Sequence, residues 1–382
     1  MKKSLIALAV FGMFTGAAMA DGNSVTLYGK IDAGVTHITG ISDGTATGTT
    51  SSTGLSSGIT GGNRIGVKGT EDLGGGLKVL FDAETGFCGT GLSQDQKVGT
   101  ATNGAAFCTG GGFMQRQAYV GLTGDFGTVL AGRQYTAIFG AETTLDPFGA
   151  GYTGQAFNLS PLDKTYGLYR ADQALAYVTP NLSGFTGTAA YVFSAGGTVS
   201  AGGTVAQANN PGTSNVPRAF DLKGEYANGP IYAVLDYAQV KNDRVTFNPT
   251  TGVNDGKIKL WLAGATYDFG VAKVAAMYEN TKQDYVAGSQ KMWMLGTTVP
   301  VGAGSIMASY VNFKGDVANS TAKQYAVGYT YSLSKQTSLY TSYAHISNDV
   351  NTSFTTGTAT DGFTGVAGQG SSGFALGMVH NF

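Results

Sequence analysis

The chain has 382 residues, with 60 glycines, 20 Tyr, 20 Phe and 8 Pro, and its formal net charge is -1. A nucleic-acid binder would carry a basic excess, so this near-neutral balance argues against nucleic acid as a partner. After the first 20 residues, no stretch reaches the roughly 18 to 20 apolar residues of a transmembrane helix. Any membrane span therefore has to be made of strands.

The first 20 residues have the three parts of a secretory signal peptide. Lys2 and Lys3 supply a positive start, residues 5–14 are apolar, and Ala18-Met19-Ala20 has the small-x-small form of a cleavage site. The alternative is a membrane anchor, but the apolar run is too short to cross a bilayer. We therefore predict a signal peptide over residues 1–20 and a mature barrel over residues 21–382, outside the cytoplasm.

About 16 segments of the mature chain alternate between apolar and polar side chains, which is typical of strands with two different faces. Each has around ten residues, the length that a tilted strand needs to cross a hydrocarbon layer. The segments lie at 25–37, 63–71, 77–87, 113–123, 127–135, 170–179, 184–194, 218–227, 230–241, 257–268, 271–283, 290–299, 304–314, 322–332, 336–347 and 371–382.

The connections alternate between tight turns, such as 72–76 and 124–127, and long polar loops at 38–62, 88–112, 195–217, 242–256 and 348–370. This alternation is typical of an antiparallel outer-membrane barrel. A secreted β-sandwich or adhesin is the alternative, but it has no reason to place a long loop at every second connection. Because a closed barrel has no free edge, we expect the last strand to pair with residues 25–31 of the first.

Several motifs together resemble one family. They are "SVTLYGKIDAGV", "NRIGVKGTEDLGGGLKVLFDAETGF", "RQAYVGLTGDFGTVLAGRQYTA", "SGFTGTAAYVF" and a terminal His-x-Phe. The chain resembles the general porins of Gram-negative bacteria, specifically the beta-proteobacterial type. The resemblance implies a homotrimer of sixteen-stranded all-β barrels in the outer membrane, in contact with lipid and lipopolysaccharide. It also implies that Phe382 is part of the signal read by the barrel-assembly machinery.

A porin passes small hydrophilic solutes and ions through a water-filled pore, and the resemblance implies that the third external loop narrows this pore. Alternation turns Ile65 and Val67 toward lipid, so Arg64, Lys68 and, by the same parity, Lys30 face the lumen. The motifs that match the wall arginines of the family contain Arg64, Arg116, Arg133 and Arg170. A plainer interpretation is that the lumen faces of barrels are simply polar.

The third loop is predicted to span residues 136–169 and to carry the acids that face this basic wall, namely Glu142, Asp146 and Asp163. Passage through such a constriction depends on its bore and its charges rather than on chemistry. Because the basic residues outnumber the acids, we expect a modest preference for anions.

Cys88 and Cys108 are the only cysteines, and both lie in the second long loop, in a compartment that permits disulfides. We predict that they pair, the alternative being two free thiols. The resemblance implies that this loop latches onto a neighbouring subunit. His37, His345 and His380 offer no metal spacing or catalytic triad, and Gly149–Gly154, which fits G-x-G-x-x-G, does not open a helix after a strand. Nothing in the sequence points to an enzyme or a cofactor.

Two other functions remain open. One is a channel specific for a sugar or an organic acid, although Trp261 and Trp293 lie on late strands, away from the third loop. The other is a structural or adhesive barrel whose lumen is closed. Bilayer conductance with and without a candidate solute distinguishes the three functions, because only a specific channel is blocked by its solute and a closed barrel does not conduct.

Overall fold

The computed structural model describes residues 17–20, 23–89, 113–161, 169–193, 218–245, 254–284, 287–357 and 363–382. No helix in these ranges is both long enough and apolar enough to cross a membrane.

Sixteen antiparallel strands close into one barrel, as the sequence predicts. Each strand pairs with its neighbour in the chain, apart from the closing pair and the insertion in the first loop. In chain order they are β2 (Asn23–Ser42), β4 (Arg64–Gly74), β5 (Leu77–Gly86), β6 (Gln117–Gly124), β7 (Gly127–Tyr135), β8 (Arg170–Val178), β9 (Phe185–Val192), β10 (Arg218–Asn228), β11 (Ile231–Val245), β12 (Asn254–Asp268), β13 (Lys273–Gln283), β14 (Gln290–Val301), β15 (Gly304–Lys314), β16 (Thr321–Ser332), β17 (Thr337–Asn348) and β18 (Ser371–Asn381).

Two further strands lie outside this set of sixteen. A short strand, β1 (Ala17–Ala20), pairs with the beginning of β2, and β3 (Thr49–Ser57) pairs with its second half. The prediction of a loop over 38–62 is therefore wrong, because β2 continues to Ser42 and β3 completes a hairpin. The sequence of β3, TTSSTGLSS, has almost no apolar residues and hence no alternation that could have revealed the strand.

The barrel closes between β18 and β2, but the pairing lies closer to the C-terminal end of β2 than the sequence analysis predicted. Residues 372–381 pair with residues 30–39 of β2, whereas residues 24–30 pair with β4 on the other edge. At the end of the seam, Gly29 and Phe382 exchange two backbone hydrogen bonds of 2.9 and 3.1 Å. A Cβ atom on Gly29 would lie 2.3 Å from Cζ of Phe382, so glycine leaves the room for the terminal ring.

The two faces of the strands follow the predicted alternation. Leu27, Ile31 and Ile65 are exposed on the outward face, while Asp32 is fully buried on the inward face. Along β11 to β15, however, the inward face is also largely apolar, apart from two buried acids, Asp236 and Glu279. Its buried side chains include Val234, Leu260, Leu262, Met277, Met292, Met294 and Val311.

The third connection, of which residues 136–161 and 169 are described, covers this apolar half of the inner wall. It contains a helix, α1 (Ala137–Leu145), and a 3₁₀ turn, η1 (Ala156–Asn158). Ile138, Ala141 and Leu145 of α1 pack into the same cluster as the apolar inward side chains of β11 to β15. The helix was not predicted from the sequence.

Candidate functional site

The candidate site lies between the third loop and the opposite, charged half of the barrel wall. The loop is fixed to β10–β17 by contacts that run along its whole described length. Gly264 and Gly296 leave room for Leu145 and Pro147, since a Cβ atom on either glycine would lie within 2.2 to 2.5 Å of them. Further along, Thr153 hydrogen-bonds Ser342 at 2.9 Å, and Asn158 donates to Gln324 at 2.8 Å.

The N-terminus of α1 is capped from the barrel wall as well as from the loop. Thr136 Oγ1 accepts a hydrogen bond from the N–H of Phe139, as a typical N-cap residue does. Asp221 Oδ2, on β10, accepts from the N–H groups of Ala137 and Ile138 at 2.8 and 3.2 Å. The positive end of the helix dipole therefore meets a wall carboxylate, which orients the helix on the wall.

The opposite wall, formed by β2 and β4–β8, carries five of the six basic residues that the sequence predicted. Lys30 and Arg64 are direct cross-strand partners, a like-charge arrangement that is unfavourable unless acids compensate it. Glu84 of β5 supplies this compensation. Its carboxylate lies 2.6 Å from Nε of Arg116 and 3.9 Å from Nε of Arg64.

Tyr135 joins two of the predicted arginines. Its hydroxyl oxygen accepts a hydrogen bond from Arg116 Nη2 at 2.7 Å and another from Arg170 Nη2 at 2.9 Å. The Arg170 guanidinium also lies 4.6 Å from the centre of the Tyr135 ring, in cation–π geometry. Arg116 itself lies one residue before β6 rather than on the strand. These contacts hold the guanidiniums of Arg116 and Arg170 beside each other.

Arg133 stands apart from this group. A bulge in β8 interrupts its pairing with β7 beside Arg133, and the unbroken register with β6 places Arg133 opposite Ala118, on the outward face of β6. Its guanidinium forms an ion pair with Asp172 and donates Nε–H to the carbonyl of Gln115. The expectation that Arg133 belongs to the basic wall, which came from the family motif, is therefore corrected, because alternation along β7 puts Arg133 on the same outward face as Ala131.

The remaining predicted wall residues, Lys30 and Lys68, both have partners in the barrel. Lys30 Nζ donates to the carbonyl of Thr60, and the N–H and hydroxyl of Thr60 both donate to Asp32. Lys68 Nζ lies 4.7 Å from the centre of the Tyr28 ring. These contacts fasten the chain before β4 to the inner wall, close to Lys30.

The two described acids of the loop do not pair with the basic wall as expected. Glu142 is buried and accepts a hydrogen bond from Ser160, whose hydroxyl also reaches Glu279 at 3.0 Å. Asp146 accepts from the N–H groups of Phe148 and Ala156, at 2.9 and 2.8 Å. Burial raises the pKa of Asp146 to about 6. Asp146 therefore organises the loop itself rather than the charge of the lumen.

Two predicted residues, Asp163 and Cys108, lie outside the described part of the chain. The Cys88–Cys108 disulfide and a role for Asp163 remain predictions.

Sequence reasoning missed Asp82, Glu84, Asp172 and Tyr135. Asp82 and Glu84 could have been found, since they alternate with Phe81 and Ala83 on a predicted strand and share a face. The register then places Asp82 opposite Lys68 and Glu84 opposite Gly66, beside Arg64. Tyr28 links the two acids, because its hydroxyl lies 2.7 Å from Asp82 and 3.2 Å from Glu84.

Comparison with known proteins identifies the family of this barrel. The profile of the Gram-negative porin family matches residues 5–352. The chain belongs to this family. An outer membrane porin protein of Bordetella pertussis is 33% identical over 300 residues, which cover 75% of this chain and 71% of the relative. Outer membrane porin protein 32 of Delftia acidovorans is 32% identical over 287 residues, which cover 74% of this chain and 70% of that relative.

A solved structure, the anion-selective porin from Comamonas acidovorans, is similar over the whole barrel. It has a TM-score of 0.74 and 28% sequence identity, and the match covers 94% of this chain and all of that one. The protein is therefore an integral β-barrel of the outer membrane. Porins are channels rather than enzymes, and the family supports a diffusion channel.

Proposed function

We propose that this porin is a water-filled diffusion channel for small hydrophilic solutes and ions, with a modest preference for anions, and that the third loop narrows its pore. The observation that carries this proposal is the asymmetry of the inner wall. The loop packs on the apolar half, so the charged half is left to face the lumen.

The charges of that half favour anions. Lys30, Arg64, Lys68, Arg116 and Arg170 share the wall with three acids, Asp32, Asp82 and Glu84. Two unit charges 4 Å apart interact by about 1 kcal/mol in bulk water and about 4 kcal/mol at an effective dielectric of 20. Salt screens acids of the outer loops that lie more than a Debye length, roughly 8 to 10 Å, from a passing ion. The charges in the constriction therefore have the larger effect on that ion. The anion-selective porin from Comamonas acidovorans is a neighbour of the same fold, which supports this preference.

The reversal potential of single channels in a KCl gradient tests the proposal. We expect a modest preference for chloride in the wild type. Replacing Arg64, Arg116 and Arg170 together with Ser should shift the preference toward cations and increase the conductance. Arg133→Ser is the control, because Asp172 already balances that charge. A strongly cation-selective wild type, or a triple variant with unchanged selectivity, would contradict the assigned role of these arginines.

A second function, a channel specific for an organic acid, is favoured by one observation. Phe139 of the third loop packs against Tyr135, Phe157 and Tyr169, with ring centres 5.0 to 5.4 Å apart, so these aromatic rings form a cluster beside Arg170. Such a channel would be blocked by its solute. A current that is unaffected by millimolar carboxylates would leave the general channel as the function.

As in the family, we propose that the protein assembles as a homotrimer and is inserted by the barrel-assembly machinery, with residues 1–20 removed as a signal peptide. Cross-linking of the purified protein tests the trimer, and the N-terminal sequence of the mature chain tests the cleavage site.

A further inference from the structure

Residues 58–63, between β3 and β4, fold into the barrel as a tight turn with the sequence GITGGN. Gly61 and Gly62 have φ values of 106° and 84°, which residues with a Cβ atom rarely adopt. Ile59 is fully buried and Asn63 is 3% exposed. We call residues 58–63 the brace.

Asp32 of β2 holds the brace at its beginning, middle and end. The carbonyl of Asp32 accepts from the N–H of Gly58 at 3.0 Å, and its own N–H donates to Oδ1 of Asn63 at 2.7 Å. Its carboxylate accepts the N–H and the hydroxyl of Thr60, at 2.5 and 2.8 Å. The hydroxyl of Tyr340, on β17, donates to the same carboxylate at 2.5 Å. A buried carboxylate requires such donors, and together they fix the brace on the wall.

One side of the brace contacts the basic wall. Lys30 Nζ donates to the carbonyl of Thr60. Arg116 Nη2 lies 3.5 Å from the carbonyl oxygen of Gly61. The approach is close because a Cβ atom on Gly62 would lie 2.9 Å from Nη1 of Arg116. Two carbonyl groups of the brace therefore face two of the wall cations.

The other side of the brace contacts the tip of the third loop, residues 150–152. The N–H of Tyr152 donates to the carbonyl of Ile59 at 2.6 Å. A Cβ atom on Gly151 would lie 2.7 Å from the carbonyl carbon of Thr60, so the two backbones are in direct contact. Tyr152 also packs on the apolar cluster that contains Ile59.

The backbone of the tip is in a conformation that requires support. Ala150 and Tyr152 have φ values of 58° and 62°, in the left-handed region that is unfavourable for residues with a Cβ atom. Such conformations persist where the surrounding contacts over-determine them. The hydrogen bond to Ile59 is made by Tyr152 itself, so the brace supports the tip at a strained residue.

We propose that the brace sets the width of the pore neck and that Asp32 is its positioning residue. The brace lies between the basic wall and the tip of the third loop, so it fixes the distance of the tip from Lys30 and Arg116. This inference rests on the proposed function, in which the third loop narrows the pore. It adds the end of the first loop as a second element of the neck.

Asp32→Asn is the first variant of the test. The substitution keeps the shape of the side chain, but it replaces an accepting oxygen with an amide donor that meets the donors of Thr60 or Tyr340. Asp72→Asn, at the exposed short-turn end of β4, makes the same change in net charge and is the control. Conductance in planar bilayers with neutral poly(ethylene glycol) of increasing mass measures the bore independently of the wall charge. Heat-shifted gel migration first shows that each barrel is folded.

We expect the Asp32→Asn channel to admit larger polymers than the wild type, and the control to keep the wild-type limit. Hydrogen exchange followed by mass spectrometry gives a second readout. The amides of residues 58–63 and 150–152 should both exchange at least about 10-fold faster in Asp32→Asn, as expected for the loss of a hydrogen bond to a charged group. Residues 137–145, which are held by the apolar wall, should exchange as in the wild type.

Thr60→Val is the second variant, and it decides the question if Asp32→Asn does not fold. It removes one hydrogen bond to Asp32 without changing the charge of the lumen. We expect a smaller shift of the polymer limit in the same direction. Thr53→Val is its control, because it removes an exposed hydroxyl that contacts His37 on the outward face of β3. This control should keep the wild-type limit.

A wild-type polymer limit in both variants would overturn the proposal, even with a lower thermal unfolding midpoint, because the brace would then only stabilise the fold. Faster exchange confined to residues 58–63 would also overturn it, because the tip would not depend on the brace. A wild-type protein that does not conduct would instead refute the proposed function, so the two failures are distinguishable.

Discussion

Glu84 lies within reach of Arg64, Arg116 and the hydroxyl of Tyr28, and it is almost fully buried. One carboxylate thus offsets part of the positive charge of two guanidiniums at the same point of the wall. The charge that an ion meets in the lumen depends on this single residue as much as on either arginine.

Replacing Glu84 with Gln should therefore increase the preference for anions. The expected rise in the chloride-to-potassium permeability ratio is about fivefold, which corresponds to about 1 kcal/mol for one unit charge at roughly 4 Å in water. Reversal potentials in a KCl gradient measure it. Glu71→Gln, at an exposed position near the short turn after β4, makes the same change in net charge and should leave the ratio unaltered. A Glu84→Gln channel with the wild-type ratio would show that this carboxylate does not set the lumen charge.

Asp146 is expected to titrate well above an ordinary aspartate, because burial raises its pKa to about 6. Between about pH 4 and 6 the folded loop then binds more protons than the unfolded chain, for which the pKa is about 3.9. This group therefore contributes stability that is fully present at low pH and is lost as the pH rises through 6. Infrared difference spectra of the wild type minus Asp146→Asn should show a carboxyl band with a midpoint near pH 6. A midpoint near 4 would contradict the raised pKa.

At the scale of elements, the helix α1 is the part of the third loop that holds it on the wall. Leu145 is 1% exposed and occupies the space that Gly264 leaves on β12. The packing of α1 against β12 depends on complementary shapes, since a side chain on Gly264 would occupy the same volume as Leu145.

Shortening this side chain should loosen the loop. Leu145→Ala is expected to cost about 2 to 5 kcal/mol, as for other buried leucines. Larger fluctuations of the open-channel current in planar bilayers and a lower thermal unfolding midpoint would report the loss. The exposed Leu182 in the turn before β9 gives the matched control, and Leu182→Ala should change neither quantity. If the two variants behave alike, the packing of α1 does not hold the loop on the wall.

The second long loop carries the predicted Cys88–Cys108 disulfide. Closing a loop of about 20 residues should stabilise it by on the order of 3 kcal/mol in the chain-entropy model. Mass spectrometry of the native protein after alkylation without reductant should find neither cysteine modified. Modification of both would show two free thiols instead.

At the scale of the whole molecule, the last residue takes part in the closure of the barrel. Phe382 exchanges two backbone hydrogen bonds with Gly29 and places its ring over that glycine. The chain therefore ends at the seam, with its aromatic side chain against the first strand.

Deleting Phe382, or replacing it with Lys, should sharply reduce the amount of barrel in the outer membrane. The change removes both the proposed assembly signal and an apolar contact at the seam. Outer-membrane yield and trimer content measure the effect, and His380→Ala, which keeps the terminal ring, serves as the control. Wild-type yield of the deletion variant would exclude this role for the terminal residue.

The sequence by itself determined the barrel. The predicted strands 127–135 and 304–314 coincide with β7 and β15, and most other bounds agree within a few residues. This success has a physical cause. A strand with lipid on one side and a different environment on the other has to alternate, and each strand has to span the same thickness. Both requirements act locally, so they are visible in a short window of sequence.

Only the tertiary structure decided which charges meet. Glu84 compensates Arg64 and Arg116 through contacts between separate parts of the wall, whereas Arg133 forms an ion pair with Asp172 of β8. The loop acid Asp146 had the expected charge, but folding turned it toward the backbone of its own loop. Hydrogen-bond partners and cross-strand neighbours depend on residues far away in the chain, and the local alternation that predicts a strand carries no information about them.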